Sequence, residues 1–154
     1  MATQKLQVGR ALAVIPSSST DIPFPMVAVS GAATGGSATT LVDAGATFLS
    51  SGVKNGDIIY NTSTSTSALV TGVNSETTLL TSGGTFAAGN NYVIYQGGNN
   101  EGCVLYIGTG GTLDVVTTGR DQVSLLNVVS GQFIPIQVMK VLPTSTAANI
   151  LALW

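Results

Sequence analysis

Histidine is absent from all 154 residues. With it go the commonest general base, the commonest metal ligand and the usual partner of a serine or cysteine nucleophile. A single cysteine, Cys103, leaves no internal disulfide to form, which fits a reducing compartment or an assembly built inside one. Its expected place is a core, as a small apolar residue. Charge is scarce too: Lys, Arg, Asp and Glu make up 8% of the chain, against about 25% in an ordinary soluble domain. Five Lys and Arg in a chain of net charge -2 offer no basic stripe for nucleic-acid phosphates. Long hydrophobic runs are missing as well. The chain is 44% hydrophobic, too apolar for disorder, but its apolar residues come in short runs, below the roughly 18 consecutive positions of a membrane-crossing helix. The N-terminal "MATQKLQVGR" has no apolar stretch behind Lys5 and Arg10, so no cleaved leader is expected and the chain is expected to stay where it is made.

What is present points to β-structure. Apolar residues rich in Val, Ile, Leu and Tyr recur at spacing two or in short runs, with Gly, Asn, Ser and Pro between them. Strands are expected over 10–15, 26–30, 57–61, 67–73, 77–81, 92–96, 103–108, 112–117, 122–127, 133–141 and 149–154. Glycine-bearing "GTGG" at 108–111, "TGRD" at 118–121 and "VSG" at 129–131 read as tight turns. Residues 43–51 are compatible with a short helical turn. Pro135 cannot donate a ladder hydrogen bond, so its strand should begin at an edge or contain a bulge. "PSSSTDIPFP" (16–25) and "QGGNNEG" (96–102) read as connectors. The parse is a discontinuous domain, 1–25 with 101–154, carrying an insertion at 26–100.

The positions able to do chemistry are few. Seven carboxylates, Asp21, Asp43, Asp57, Glu76, Glu101, Asp114 and Asp121, are scattered, with no spacing that forces an acid/base pair. "GTGGT" joins two expected strands with no helix behind it, so it reads as a hairpin and not as a phosphate cradle. Cys103 has no candidate base or metal partner. Asn61 in "NTS" matches a glycosylation acceptor by chance, and the tip "NTSTSTS" (61–67) reads as a solvated loop. Asp114 and Arg120 flank one hairpin and can pair across it at little gain. No cofactor, metal or small-molecule substrate is expected, and an enzymatic reading has the least support.

Two stretches carry a resemblance. "GRALAVIPSSSTDIPFP" followed by "CVLYIGTGGTLDVVTTGRDQVSLLNVVSGQFIPIQVMKVLPTSTAANILALW" resembles a recurrent small virion protein of tailed bacteriophages. The matching positions are Val104 to Gly108, Val116 to Thr118, then Asn127, Gly131, Pro135, Val138 and Val141, and finally Thr146, Ala148, Ile150, Ala152 and Trp154. This chain departs from that family in carrying the insertion where short members turn directly. The insertion, residues 41–95, is similar to a β-module of phage structural proteins. That module has an Asp and a Phe (Asp43, Phe48) before a "GVxxGDxI" turn, here closing on Gly56, Asp57 and Ile58. In the module Ile58 and Tyr60 would face one side while Val70, Val73, Leu79, Phe86, Tyr92 and Ile94 close a small barrel. The fold expectation is therefore all-β: a small barrel or sandwich from the N-terminal strand and the C-terminal part, with a second small β-barrel module inserted and standing outward.

Charge poverty then acquires a reading. Well-behaved soluble surfaces carry about 25 to 35% charged residues, whereas lasting interfaces are depleted of charge and rich in apolar and small polar groups. Much of this surface is expected to lie against other protein. Phe133, Pro135, Ile150, Leu153 and Trp154 are the candidate core or assembly anchors. The resemblance implies a non-enzymatic capsid decoration or cement protein on the phage head, made in the host cytoplasm. Its expected partner is the major capsid protein, and its expected form a homotrimer, with no nucleic acid or membrane. The alternatives are a neck, tail or fibre-attachment subunit and a host-surface glycan-binding module. The last predicts exposed aromatics, and Tyr60, Tyr92 and Tyr95 fall at strand positions suited to a core.

Overall fold

The computed structural model describes residues 8–98 and 100–154. The first seven residues of the stretch read for a leader lie outside these. Among the described residues the fold is all-β and without helix, with two antiparallel sheets. In chain order the strands are β1 (Ala11–Ala13), β2 (Val27–Ala32), β3 (Gly35–Gly36), β4 (Thr40–Val42), β5 (Ile58–Asn61), β6 (Thr66–Ser75) and β7 (Thr78–Thr81). They continue as β8 (Asn91–Tyr95), β9 (Cys103–Thr109), β10 (Gly111–Thr117), β11 (Gln122–Val128), β12 (Phe133–Val141) and β13 (Ala148–Leu153). Each expected strand is present, while the short β3 and β4 were not legible. The possible helical turn at 43–51 is a run of turns in which one helical bond, Ser51 N to Thr47 O, is made.

The chain divides into two compact units, residues 1–14 with 101–154, and residues 15–100. The connector 16–25, expected to go with the terminal domain, belongs instead to the inserted unit. The reason is local: Ile22 is buried, Ser17 Oγ accepts from Thr20 N, and Thr20 hydrogen-bonds Ser67 through their hydroxyls. Ser67 is the cross-strand partner of Tyr60, so the connector lies on the face of β5 that carries Tyr60. This corrects a second expectation. Ile59, not Ile58 or Tyr60, joins the main core of this unit, with Leu41, Phe48, Val70, Leu79, Phe86, Tyr92 and Ile94. Ile58 and Tyr60 are buried on the opposite face, where Tyr60 meets the edge of Tyr95 at 5.4 Å. A strand covered on both faces reads as a continuous apolar run, as "DIIYN" does.

The sheet of the inserted unit runs β2-β8-β5-β6-β7-β4-β3. Among the described residues no ladder closes it into a barrel. Its two terminal strands, β2 and β3, are successive legs of one segment separated by Ala33 and Thr34, whose amides donate to Asn90 O and Val42 O. The chain itself, turning there, joins the sheet's ends.

The terminal unit has the order β1-β13-β9-β12-β10-β11. β13 carries the ladder to the C-terminal residue: Trp154 donates its amide to Arg10 O, and its carbonyl receives Gly9 N at 2.6 Å. β9 and β10 are joined only by Gly110, yet they do not pair. "GTGG" is thus a corner between two strands that have β12 between them, and not the hairpin expected. The corner is tight because a Cβ on Gly110 would stand 2.4 Å from Val128 O. "VSG" is the turn expected, closed by Gln132 N donating to Val129 O at 3.3 Å, although β11 and β12 are not partners; β10 and β11 form a hairpin through 118–121. Gly110→Ala is expected to destabilise this unit by about 1 to 3 kcal/mol through forced backbone displacement. Urea unfolding followed by the fluorescence of Trp154, the sole tryptophan, measures it; an unchanged midpoint would contradict the corner.

Candidate functional site

β12 is the strand on which the terminal unit's surface depends. Its first residues pair with β9 (Phe133 with Tyr106, Ile134 with Leu105, then Val138 with Cys103), while Val138–Val141 pair with β10. Between Ile134 and Val138 the register slips by two residues, so Pro135–Gln137 form a bulge. This is the device Pro135 required. β11 is irregular as well. It faces β10 through Leu125 with Leu113 and Val128 with Gly111, which leaves one extra residue on β11. Asn127 takes it up with φ 56, a left-handed conformation that Asn tolerates better than most residues.

The two bulges re-aim side chains. In a regular strand neighbours point to opposite faces, so the doublets Leu125-Leu126 and Val128-Val129 cannot both be buried. Val128 is buried and Leu125 half-buried, while Leu126 is 70% and Val129 62% exposed. On β12, Phe133 is 56% exposed and packs its ring 5.2 Å from Tyr106. Val123 and Ile136 are exposed too. Between β11 and the first half of β12 lies an open groove of about 360 Å³ with walls that include Leu125, Leu126, Val128, Ile134, Pro135 and Ile136. No charged residue occurs from Gln122 to Met139.

The five candidate anchors separate into two places. Phe133 and Pro135 are on this exposed face; Ile150 and Leu153 are buried in β13, and Trp154 is half-buried at the end of the β1–β13 ladder. Leu126, Val129 and Ile136 were missed. For Leu126 and Val129 the signal was the adjacent apolar doublets of "SLLNVV", which one face of a strand cannot hide.

The groups that could have carried chemistry are committed to structure. Asp57 is fully buried, accepting Lys54 N at 3.0 Å and Gly97 N at 2.9 Å, and so ties two turns together. Asp43 accepts the Tyr92 hydroxyl at 2.6 Å and Gly45 N at 2.9 Å. Burial, and secondarily this bond to Asp43, pushes the Tyr92 phenol well above its ordinary range. Gly31 makes room for the pair, since a Cβ there would stand 2.7 Å from the Asp43 carboxyl. Asn61, in the glycosylation-like triplet, is buried and gives its amide to Thr85 O and Asn90 Oδ1. Cys103 is buried, and burial pushes its thiol up to about 12, which suppresses the reactive thiolate. Tyr60, Tyr92 and Tyr95 are buried. Among the described residues no group of three or more His, Cys, Asp or Glu is placed to hold a metal, and no helix is long and apolar enough to cross a membrane.

Asp114 is bound by the hydroxyls of Ser124 and Thr144, which together hold its carboxyl below the ordinary 3.8. Ser50 does the same for Glu76, whose carboxyl it binds through both hydroxyl and amide.

Comparison with known proteins found no matching family model, no matching curated protein and no matching solved structure. The function must therefore be argued from the chain itself.

Two predictions follow from the carboxyl groups. Asp57→Ala leaves two turn amides without their acceptor and is expected to cost about 1.5 to 3 kcal/mol in urea unfolding, with Asp57→Asn recovering part of it. A folded-state pKa depressed below the unfolded value makes the Asp114 contribution complete above about 3.8 and lost as pH falls through the lower folded value. Thr144→Val should raise the Asp114 pKa toward 3.8, as read by carboxyl NMR titration; an unmoved midpoint would assign the depression elsewhere.

Proposed function

We propose that this chain is a non-enzymatic structural subunit of a tailed-phage virion, acting as a capsid decoration or cement protein that binds the head and stabilises it. The observation that carries the assembly part of this reading is the run of exposed apolar side chains on β11 and the first half of β12, a stretch with no charged residue from Gln122 to Met139. Val123, Leu126, Val129, Phe133 and Ile136 are all exposed along it. Single exposed apolar residues are ordinary, and their recurrence along one stretch favours an interaction surface. The virion part rests on the resemblance of the terminal strands and the inserted module to phage structural proteins.

The physics of cementing is mass action. A protein that binds only the assembled shell shifts the equilibrium toward it by RT ln(1 + [L]/Kd), about 2.7 kcal/mol at a hundredfold excess over Kd. For such binding the chain needs order and apolar area. Its carboxyl groups serve that order: Asp43 and Asp57 are spent on a tyrosine hydroxyl and on turn amides. The glycan-binding alternative is weakened because Tyr60, Tyr92 and Tyr95 lie in the interior.

The test is the copy number of the chain in purified particles, measured by quantitative mass spectrometry against the major capsid protein. A ratio near one or a simple fraction of it is expected for a decoration protein. A ratio of roughly a few per cent would move the chain to the unique vertex or tail, where symmetry admits only small rings. Absence from particles would overturn the virion reading.

A further inference from the structure

We propose that Asn55 is a self-modification site, converted without an enzyme to aspartate and isoaspartate, and that the fold of the inserted unit gates the conversion. The proposal is independent of the virion reading.

Asn55 and Gly56 form the only Asn-Gly pair in the chain. Asparagine is a thermolabile side chain, because the backbone nitrogen that follows it can reach its carboxamide carbon. A Cβ on the following residue hinders that approach, and glycine has none. The structure leaves the pair open to solvent: Asn55 and Gly56 are both exposed, and a Cβ built on Gly56 would meet no atom within 4 Å. Asn61, by contrast, is buried, gives its amide to Thr85 O and Asn90 Oδ1, and precedes a threonine.

The reaction balances with water alone. The nitrogen of Gly56, its proton lost to hydroxide, forms a bond to Cγ of Asn55. The Cγ–Nδ2 bond breaks, and the leaving nitrogen takes a proton from water and departs as ammonia. The cyclic imide that results takes up one water at either of its two carbonyl carbons. Opening one way gives aspartate. Opening the other way gives isoaspartate, in which the main chain runs through the side-chain methylene and is one carbon longer.

The gate is the hydrogen bonding of the turn. Gly56 N donates to Val70 O at 2.9 Å, so the attacking nitrogen is engaged while the turn is closed. Asp57 N donates to Lys54 O at 3.2 Å, and the buried Asp57 carboxyl receives Lys54 N and Gly97 N. Gly97 lies so close to the Gly56 carbonyl that a Cβ on it would collide with that oxygen. Reaction therefore waits for the turn to open, and its rate is scaled by the fraction of time spent open. A turn held at both ends has no slack for another main-chain carbon, so the isoaspartate product loses the Asp57 bonds. The modification is a one-way unlocking of the inserted unit.

The experiment holds the full-length chain in mildly alkaline buffer, folded or in concentrated urea, and digests samples at intervals. Chromatography with mass spectrometry resolves the peptide carrying position 55 into its amide, aspartate and isoaspartate forms. Conversion is expected at Asn55 ahead of every other asparagine, and at least about tenfold slower in the folded chain than in urea. Asp57→Ala, which removes the acceptor of two turn amides, should speed the folded reaction and leave the rate in urea unchanged. Asn55→Gln should abolish the conversion and keep its urea midpoint on ageing, while the aged wild type falls to a lower midpoint. These two comparisons do not depend on whether Asp57→Ala folds. A folded chain in which Asn55 stays intact while other asparagines convert overturns the site. Equal rates in buffer and urea overturn the gate, and an aged wild type with an undiminished midpoint overturns the unlocking.

Discussion

β12 has to satisfy two partners, β9 and β10, along different parts of its length. Its first residues complete the ladder of β9, and its last residues complete that of β10. A regular nine-residue strand cannot bend between them without breaking hydrogen bonds, and the break is placed where it costs least, at a proline that has no amide to donate. Beside this slip at Pro135–Gln137 lies the groove between β11 and the first half of β12. The core behind it is continuous: Leu105, Ile107, Leu113, Val115 and Val138 are all fully enclosed.

The inserted unit solves a different problem. Its long connections would leave turn amides unsatisfied, and it assigns buried carboxyl groups to them. Asp57 joins the 54–57 turn to Gly97, and Asp43 joins its own turn to the hydroxyl of Tyr92. Buried polar groups are tolerable only when bonded, and here the bonds hold the ends of strands in register. A "GVxxGD" pattern therefore has a mechanical meaning in this chain: the Gly56 backbone at φ 92 makes the turn, and the Asp that follows locks it.

Sequence reasoning reached the strands through their apolar periodicity, and it reached the need for irregularity at Pro135 through the missing amide. It failed where two adjacent residues had the same local character. Ile58, Ile59 and Tyr60 are equally apolar, and which of them faces the main core depends on the connector around Thr20 and Ile22 covering the other side. Leu125 and Leu126 are identical side chains, yet one is half-buried and the other stands in solvent because neighbours on a strand face opposite ways and the pairing sets Leu125 opposite the buried Leu113. The Gly-rich 108–111 stretch signals a sharp change of direction, but a hairpin and a corner require the same residues. Only the partner across the turn distinguishes them.

Composition and pattern alone determined the all-β class, the insertion between two parts of one unit, the lack of histidine chemistry and the shortage of charge that makes lasting contacts inexpensive. These are properties of residue types and spacings, and they do not depend on which strand lies beside which. Tertiary structure decided the rest: the boundary after Val14, the burial of Ile150 and Leu153 against the exposure of Phe133 and Pro135, and the groove itself. Each of these turns on long-range pairing and on register, and a shift of one residue in register exchanges the inward and outward faces of a strand.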